Sequence, residues 1–224
     1  DEQLGATASQ SLWIINAYPL VITGLLLGSG SLGDRIGHRR MFMVGLVIFG
    51  IASLAAAFSP TVLSLVIARG FLGAGAATML PATLALINQI FPEERERNLA
   101  MSIWVSAAVL GAALGPVVGG ALLHFFWWGS VFLINVPVVV LALVCTLLIG
   151  PRNKPNPDKH WDLISSVFAL FALSGLTLTI EEAARLDTHM PVLIGAAVVM
   201  VFGAVMFGHR QQKLCLLYTS DAAD

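Results

Sequence analysis

A single charged residue, Arg69, stands inside an apolar stretch from Val62 to Ile90 that is long enough to cross a bilayer. Arginine keeps its proton at every accessible pH, so this guanidinium cannot carry a proton itself. A charge within a membrane span is costly unless it has a partner or water. Arg69 therefore indicates an electrostatic role, in which it favours the charged form of a nearby carboxylate. The alternative is an arginine that snorkels to the membrane surface, about 10 Å away by helical rise.

A second group of charged residues alternates with glycines between Gly30 and Arg40, where the sequence reads GSLGDRIGHRR. Two helices must reverse direction here within a few residues, and glycine permits such a turn. Asp34 can accept hydrogen bonds from the amides of a helix start, or it can pair with an arginine. The alternative for the arginines is that they only orient the chain in the membrane. The candidate gating residues are Gly30, Asp34, Arg35, Gly37, Arg39 and Arg40.

A third pattern places glycines four residues apart around a proline, in the sequence GAALGPVVGG. This spacing puts the glycines on one face of a helix, which can then pack backbone to backbone on a neighbour. Pro116 removes one helical hydrogen bond and can bend the helix. One such spacing is common in membrane helices, but two overlapping copies are more specific. The candidate residues are Gly111, Gly115, Pro116, Gly119 and Gly120.

Few other residues offer chemistry. Aromatic and methionine side chains suit flat lipophilic cations, and Tyr18, Met79 and Trp104 are the candidates for substrate contact. Helix packing or lipid contact is the alternative for each of them. No nucleophile, base and orienting group occur together, so an enzyme is not predicted. The two cysteines and five histidines are widely spaced, which predicts neither a metal site nor a cofactor.

The elements that position these residues are membrane-spanning helices. The chain is 57% apolar and only 11% charged, and no single soluble core could hide that much apolar surface. The apolar runs are continuous rather than alternating, which favours helices over strands. The composition thus predicts an all-α, polytopic membrane protein. The seven predicted spans are Trp13–Leu32, Met41–Phe58, Val62–Ile90, Ala100–Leu123, Val131–Ile149, Leu163–Ile180 and Pro191–Phe207.

The loop charges predict the orientation of the chain. Ten basic residues fall on one side of the predicted spans, while only Arg185 falls on the other side. Positive charge marks the cytoplasmic side, so residues 209–214 form a cytoplasmic juxtamembrane segment and the first residues are external. The ten are Arg35, Arg39, Arg40, Arg95, Arg97, Arg152, Lys154, Lys159, Arg210 and Lys213.

Taken together, the three patterns resemble the signature motifs of the major facilitator superfamily in their order and spacing. The segment Gly30–Arg40 resembles motif A, the segment around Arg69 resembles motif B, and Gly111–Gly120 resembles motif C, which marks exporters that exchange substrate for protons. The run Phe132–Pro137 is similar to the sixth helix of the fourteen-helix drug:proton antiporters. Two further spans after residues 151–161 match the extra central helices of that group.

The resemblance covers the chain up to Leu214 and is strongest to efflux pumps for quaternary ammonium compounds and methyl viologen. It implies proton-coupled export of a small lipophilic or cationic substrate across the inner, cytoplasmic membrane by alternating access. The expected partners are the lipid bilayer, the substrate and protons, with no nucleic acid. Proton-coupled uptake of a nutrient by the same superfamily, or a non-transporting membrane scaffold, are the alternatives.

The resemblance also divides the chain. Residues 1–150 correspond to helices two to six of the family, residues 151–161 form a cytoplasmic loop, and residues 162–208 form the two extra helices. The family's acidic first helix and its carboxy-terminal half are expected to be missing, which describes an amino-terminal fragment. Residues 215–224 read CLLYTSDAAD and are expected to be translated sequencing adapter rather than native sequence.

Overall fold

The computed structural model describes residues 7–157, 163–184 and 190–221. The regular structure within these ranges is entirely helical. Six spans in it are long and apolar enough to cross a membrane, and α1 provides a seventh when its two bent segments count together. The predicted all-α membrane fold is therefore confirmed. The helices are α1 (Ala8–Ile36), α2 (His38–Ala57), α3 (Val62–Ile90), α4 (Glu94–Phe125), α5 (Ser130–Leu133), α6 (Asn135–Ile149), α7 (Leu163–Ala183) and α8 (Met190–Asp221).

The first connection is shorter than predicted. The charged loop was expected to begin at Gly33, but α1 continues to Ile36 and α2 begins at His38, so one residue makes the turn. The direction changes partly inside α1, where the segments Gln10–Leu26 and Gly28–Ile36 meet at 57°. The sequence Gly-Ser-Gly-Ser follows this bend, and runs of glycine and serine are a common cause of helix kinks. The change of direction is therefore shared between a bend within α1 and the one-residue turn at Gly37.

Helices α1, α2 and α3 form the packed centre of the chain. Small residues let α2 and α3 approach closely, since a Cβ on Gly75 would lie 2.9 Å from both the oxygen of Gly45 and the nitrogen of Phe49. A buried apolar cluster continues this contact toward the α2–α3 turn, with Tyr18 and Trp128 packed at its margin. The members of the cluster are Ala52, Ala56, Leu65, Ala68 and Leu72.

The span formed by α5 and α6 packs on α2. The two helices meet at Asn135, two residues before Pro137, whose missing N–H prevents regular hydrogen bonding back into α5. Asn135 donates from Nδ2 to Oγ of the fully buried Ser53 at 3.3 Å, which joins α6 to α2 by a polar contact.

Helices α7 and α8 form a closely packed pair, and α7 also lies against α1. A Cβ on Gly203 would lie 2.9 Å from the oxygen of Phe168, and a Cβ on Gly24 would lie 2.9 Å from Cα of Leu170. Helix α8 continues past the predicted end at Phe207 to Asp221. The division of the chain into domains and the origin of residues 215–224 stay predictions.

Candidate functional site

Arg69 lies between α3 and α1 and donates to the α1 backbone. Its Nε lies 2.7 Å from the carbonyl oxygen of Ile14, and its Nη2 lies 3.4 Å from that of Ile15. Its Cζ also lies 5.6 Å from the centroid of the Tyr18 ring, within cation–π range. Two helical segments that are far apart in sequence are thus joined by one guanidinium.

Pro19 explains why one of these two carbonyl oxygens, that of Ile15, is available to Arg69. In a regular helix the oxygen of Ile15 would accept from the N–H of the residue four positions later, and that residue is Pro19, which has no N–H. Sequence analysis singled out Arg69 without finding this partner. The signal was present, because a proline within a span marks an unpaired carbonyl on the preceding turn.

The contacts of Arg69 can be compared with the alternative in which its side chain snorkels to the membrane surface. The guanidinium is half-buried and is held by carbonyl oxygens and a ring within the protein. Its Nη1 donates to no acceptor among the described residues, so part of the planar fork is available to another group. The arrangement can hold α1 on α3 and still receive a carboxylate. The coupling role of Arg69 stays a prediction.

The glycines after Arg69 shape the same contact. A Cβ on Gly73 would lie 2.6 Å from the carbonyl oxygen of Tyr18, so this glycine brings α3 against α1. Gly75 faces α2 instead, as described above. A Cβ on Gly70 would meet only Cγ2 of Val21, at 3.9 Å, which leaves space beside Arg69. Of the three glycines, only Gly73 therefore sets the close approach of the two helices between which Arg69 lies.

The turn between α1 and α2 depends on Gly37. Its φ of 92° lies in the region that side chains rarely adopt, and it is the only described residue with a positive φ. One turn before it, Asp34 pairs with His38 through an Oδ1 to Nε2 distance of 3.2 Å. Sequence analysis gave His38 no role and considered backbone amides or an arginine as partners of Asp34. A partner four residues away on the next helix requires the tight turn that the sequence did not reveal.

The arginines of this region differ in their surroundings. Arg39 donates from Nη2 to the carbonyl oxygens of Thr146 and Leu147, each at 3.1 Å. These oxygens belong to the last turn of α6, where a cation is favourable. The oxygen of Leu147 has no helical donor because the residue four positions later is Pro151, whereas the oxygen of Thr146 also accepts from the amide of Gly150 at 3.1 Å. Arg35 and Arg40 are exposed. Arg39 thus fastens the start of α2 to the end of α6.

The segment after α6 also contacts this turn. Asn153 donates from Nδ2 to the carbonyl oxygen of Ile36 at 2.8 Å and accepts from the amide of Arg40 at 3.2 Å. The amide of Asn156 donates to the carbonyl oxygen of Asp34 at 3.1 Å. These contacts join residues more than one hundred positions apart, and no local sequence pattern predicts them.

Motif C occupies a different environment. No residue of α4 is buried, and its contacts with α3 and α5 are sparse. The predicted packing of the glycine face on a neighbour is not formed among the described residues. A Cβ added to any of its glycines would meet no atom within 4 Å; these are Gly111, Gly115, Gly119 and Gly120. Pro116 lies inside α4 without breaking it.

The three candidate substrate contacts lie on three different helices. Tyr18 packs with Arg69 at the margin of the apolar cluster. Met79 lies on α3 and faces α2, since its Cγ would lie 2.7 Å from a Cβ on Gly45. Trp104 lies on α4, whose contacts with α3 are sparse. For Met79, the helix-packing alternative describes the observed contact.

An apolar groove of about 470 Å³ runs along α2 and α3. Exposed side chains such as Ile51 and Phe71 line it, and Arg69 is not among its residues. A surface of this kind suits acyl chains of lipid. Among the described residues, no group of three histidine, cysteine or acidic side chains could hold a metal ion.

Comparison with known proteins places these elements in a family. The family model of the Major Facilitator Superfamily matches residues 1–214. The chain is 42% identical over 205 residues to the methyl viologen resistance protein SmvA of Salmonella typhimurium, covering 92% of the chain and 41% of the relative. It is 39% identical over 213 residues to the multidrug efflux pump LfrA of Mycolicibacterium smegmatis, covering 95% of the chain and 42% of the relative.

A more distant relative extends the same group. The methylenomycin A resistance protein of Streptomyces coelicolor is 32% identical over 206 residues, covering 92% of the chain and 43% of the relative. The chain therefore spans less than half the length of these relatives. Because the family match extends over nearly all of the chain and the helices are those of a multi-pass membrane protein, this chain belongs to the Major Facilitator Superfamily, a family of membrane transporters.

Proposed function

We propose that a full-length transporter containing this chain exports lipophilic or quaternary ammonium cations in exchange for protons. The proposal concerns a longer protein, because the chain spans 41% of SmvA and 42% of LfrA. The observation that carries it is the similarity to these two relatives, named for methyl viologen resistance and multidrug efflux, along more than nine-tenths of the chain. The inner, cytoplasmic membrane is the proposed location.

The geometry around Arg69 supports a role in proton coupling. Arg69 is fixed on the α1 backbone, and its Nη1 donates to no described acceptor. A carboxylate on a further helix of the transporter could pair with this nitrogen while charged. When a proton neutralises that carboxylate, the pair weakens, and the helices are released toward the other access state. Arg69 stays charged throughout and acts only through the pairing.

The turn between α1 and α2 supports the proposed gating role of motif A. Gly37, Arg39 and Asp34 all take part in contacts that join the end of α1, the start of α2 and the end of α6, which the loop charges predict to be cytoplasmic. Alternating access requires such ends to separate or to move as one body. Contacts between the ends favour their movement as one body over their separation. Gly30 and Arg35 are proposed members of the same gate by position in the motif alone.

Transport in reconstituted vesicles tests the proposal. The full-length transporter is placed in proteoliposomes that contain a pH-sensitive dye, a pH gradient is imposed, and methyl viologen is added. We expect methyl viologen and protons to cross in opposite directions. Vesicles without protein are the control for leakage.

Two outcomes would overturn the proposal. Movement of protons and substrate in the same direction would instead support uptake. If a panel of methyl viologen and quaternary ammonium compounds produced no flux at all, while the protein was folded and correctly inserted, a scaffold would be supported.

A further inference from the structure

The amino terminus of α2 lacks a capping side chain of its own. The N-cap position is Gly37, which makes no side-chain hydrogen bond. The first amides of a helix have no helical acceptors, and the amide of Arg40 is among them. Asn153 supplies the missing acceptor from a segment 113 residues further along the chain. It thus acts as the capping residue of a helix to which it does not belong.

Asn153 also satisfies the end of α1. The carbonyl oxygen of Ile36 is the last one of that helix and has no helical donor. The Nδ2 of Asn153 donates to it at 2.8 Å while Oδ1 accepts from Arg40. Only a side-chain amide offers a donor and an acceptor side by side, so aspartate or alanine would lose one or both bonds.

Gly37 and Asn153 depend on each other. A Cβ on Gly37 would collide with Oδ1, Nδ2 and Cγ of Asn153. The glycine is therefore needed both for its positive φ and for the space that the asparagine occupies. This contact gives Gly37 a role beyond the turn, because it lets the segment after α6 reach the backbone of the turn.

We propose that Asn153 is a positioning residue for transport, which holds the α1–α2 turn against the segment that leads from α6 toward α7. The inference deepens the proposed function and rests on it. Arg39 on Thr146 and Leu147, and Asn156 on Asp34, hold the same segment from either side of Asn153. Because α7 also packs on α1, a movement of the turn must carry this segment with it or break the two bonds of Asn153. Asn153 then controls the rate of the access change without touching the substrate.

Amide hydrogen exchange tests the contact itself. In the full-length transporter in lipid nanodiscs, Asn153→Ala should speed exchange in the first turn of α2 by about fivefold, as expected when one capping bond is lost. Asn153→Asp should have a smaller effect, because it keeps an acceptor for the Arg40 amide. The matched control is Asn156→Ala, which leaves in place the backbone amide that makes the contact of Asn156.

Exchange in α2 that is the same in Asn153→Ala as in wild type would overturn the contact. A second arm uses Gly37→Ala alone and with Asn153→Ala. If the two side chains compete for one space, the double variant should exchange no faster than Gly37→Ala alone. Additive effects would contradict the proposed dependence. Neither measurement requires transport, so the contact can be judged even if the proposed export function fails.

Transport kinetics test whether the contact of Asn153 controls the rate of the access change. With methyl viologen as substrate, Asn153→Ala should change the maximal efflux rate by about fivefold and leave the apparent KM within about twofold. Asn156→Ala should match wild type in both quantities. An altered KM with an unchanged maximal rate would overturn the positioning role, since it would mean that Asn153 affects substrate binding. Unchanged maximal rate and unchanged KM would overturn it as well.

Discussion

Two sets of glycines in this chain have opposite surroundings. Gly45 and Gly75 lie where α2 and α3 touch, and a Cβ on Gly75 would meet backbone atoms. Gly111 and Gly115 on α4 would meet no atom within 4 Å. Sequence analysis assigned a close-packing role to the second set from its regular spacing. The comparison teaches that spacing identifies a face suited to close packing, whereas the presence of a neighbour depends on the rest of the fold.

The largest expected effect comes from filling the α2–α3 contact. Gly75→Leu places a branched side chain against the backbone of Phe49 and Gly45, and overpacking of this kind costs about 1 to 3 kcal/mol or more. We expect the full-length transporter to melt at a clearly lower temperature or to fail to accumulate. Fluorescence-detected size-exclusion chromatography after heating measures this. Gly115→Leu is the matched control, and equal destabilisation by both variants would contradict the comparison.

The next largest effect is expected at Arg69, which donates to the backbone of α1. Arg69→Ala removes two hydrogen bonds from a charged donor, together worth about 2 kcal/mol or more, which corresponds to more than about tenfold in rate if coupling depends on them. Arg69→Lys keeps the charge but loses the planar fork and should also impair proton-driven efflux. The measurement is efflux as a function of external pH in vesicles.

Pro19→Ala sharpens this prediction without removing the charge. It returns a helical N–H to the carbonyl oxygen of Ile15, which then no longer needs Nη2 of Arg69. We expect a smaller loss of efflux than in Arg69→Ala. Normal efflux with an unchanged pH profile in Arg69→Ala would contradict the coupling role. Arg69 would then serve only to hold α1 on α3.

These cases show what the sequence can and cannot predict. Continuous apolar runs predicted the seven spans, because burial in lipid imposes composition and length on each helix separately. The charge of Arg69 was visible for the same reason. Its acceptors at Ile14 and Ile15 were not predicted, although Pro19 marked one of them. Asn153 could not be found, since a capping contact across more than one hundred residues leaves no local periodicity.

A moderate effect is expected on the open glycine face. Gly115→Leu meets no described neighbour, so the protein should insert, accumulate and melt close to wild type. If motif C packs on another part of the full-length transporter, efflux should nevertheless fall severalfold, because the added side chain separates the two surfaces. Comparing efflux per molecule of inserted protein measures this. Wild-type efflux would mean that the face contacts only lipid.

The smallest effect is expected for a glycine of motif A that has no neighbour. Gly30 lies within the helical segment Gly28–Ile36, and a Cβ there would meet no atom within 4 Å. Alanine is favoured over glycine in a helix by about 1 kcal/mol, so Gly30→Ala should keep or slightly raise thermal stability and keep efflux within about twofold of wild type. The matched variant is Gly37→Ala, which is strained by its φ and collides with Asn153.

The pair Gly30→Ala and Gly37→Ala separates two reasons for a glycine within one motif. If both variants lose efflux equally while Gly30→Ala stays stable, a part of the full-length transporter beyond the described residues must approach Gly30 during the cycle. If only Gly37→Ala fails, the turn and its contact with Asn153 account for the glycine requirement. Thermal melting and efflux measured on the same preparations distinguish these results, because a stability defect and a transport defect then appear separately.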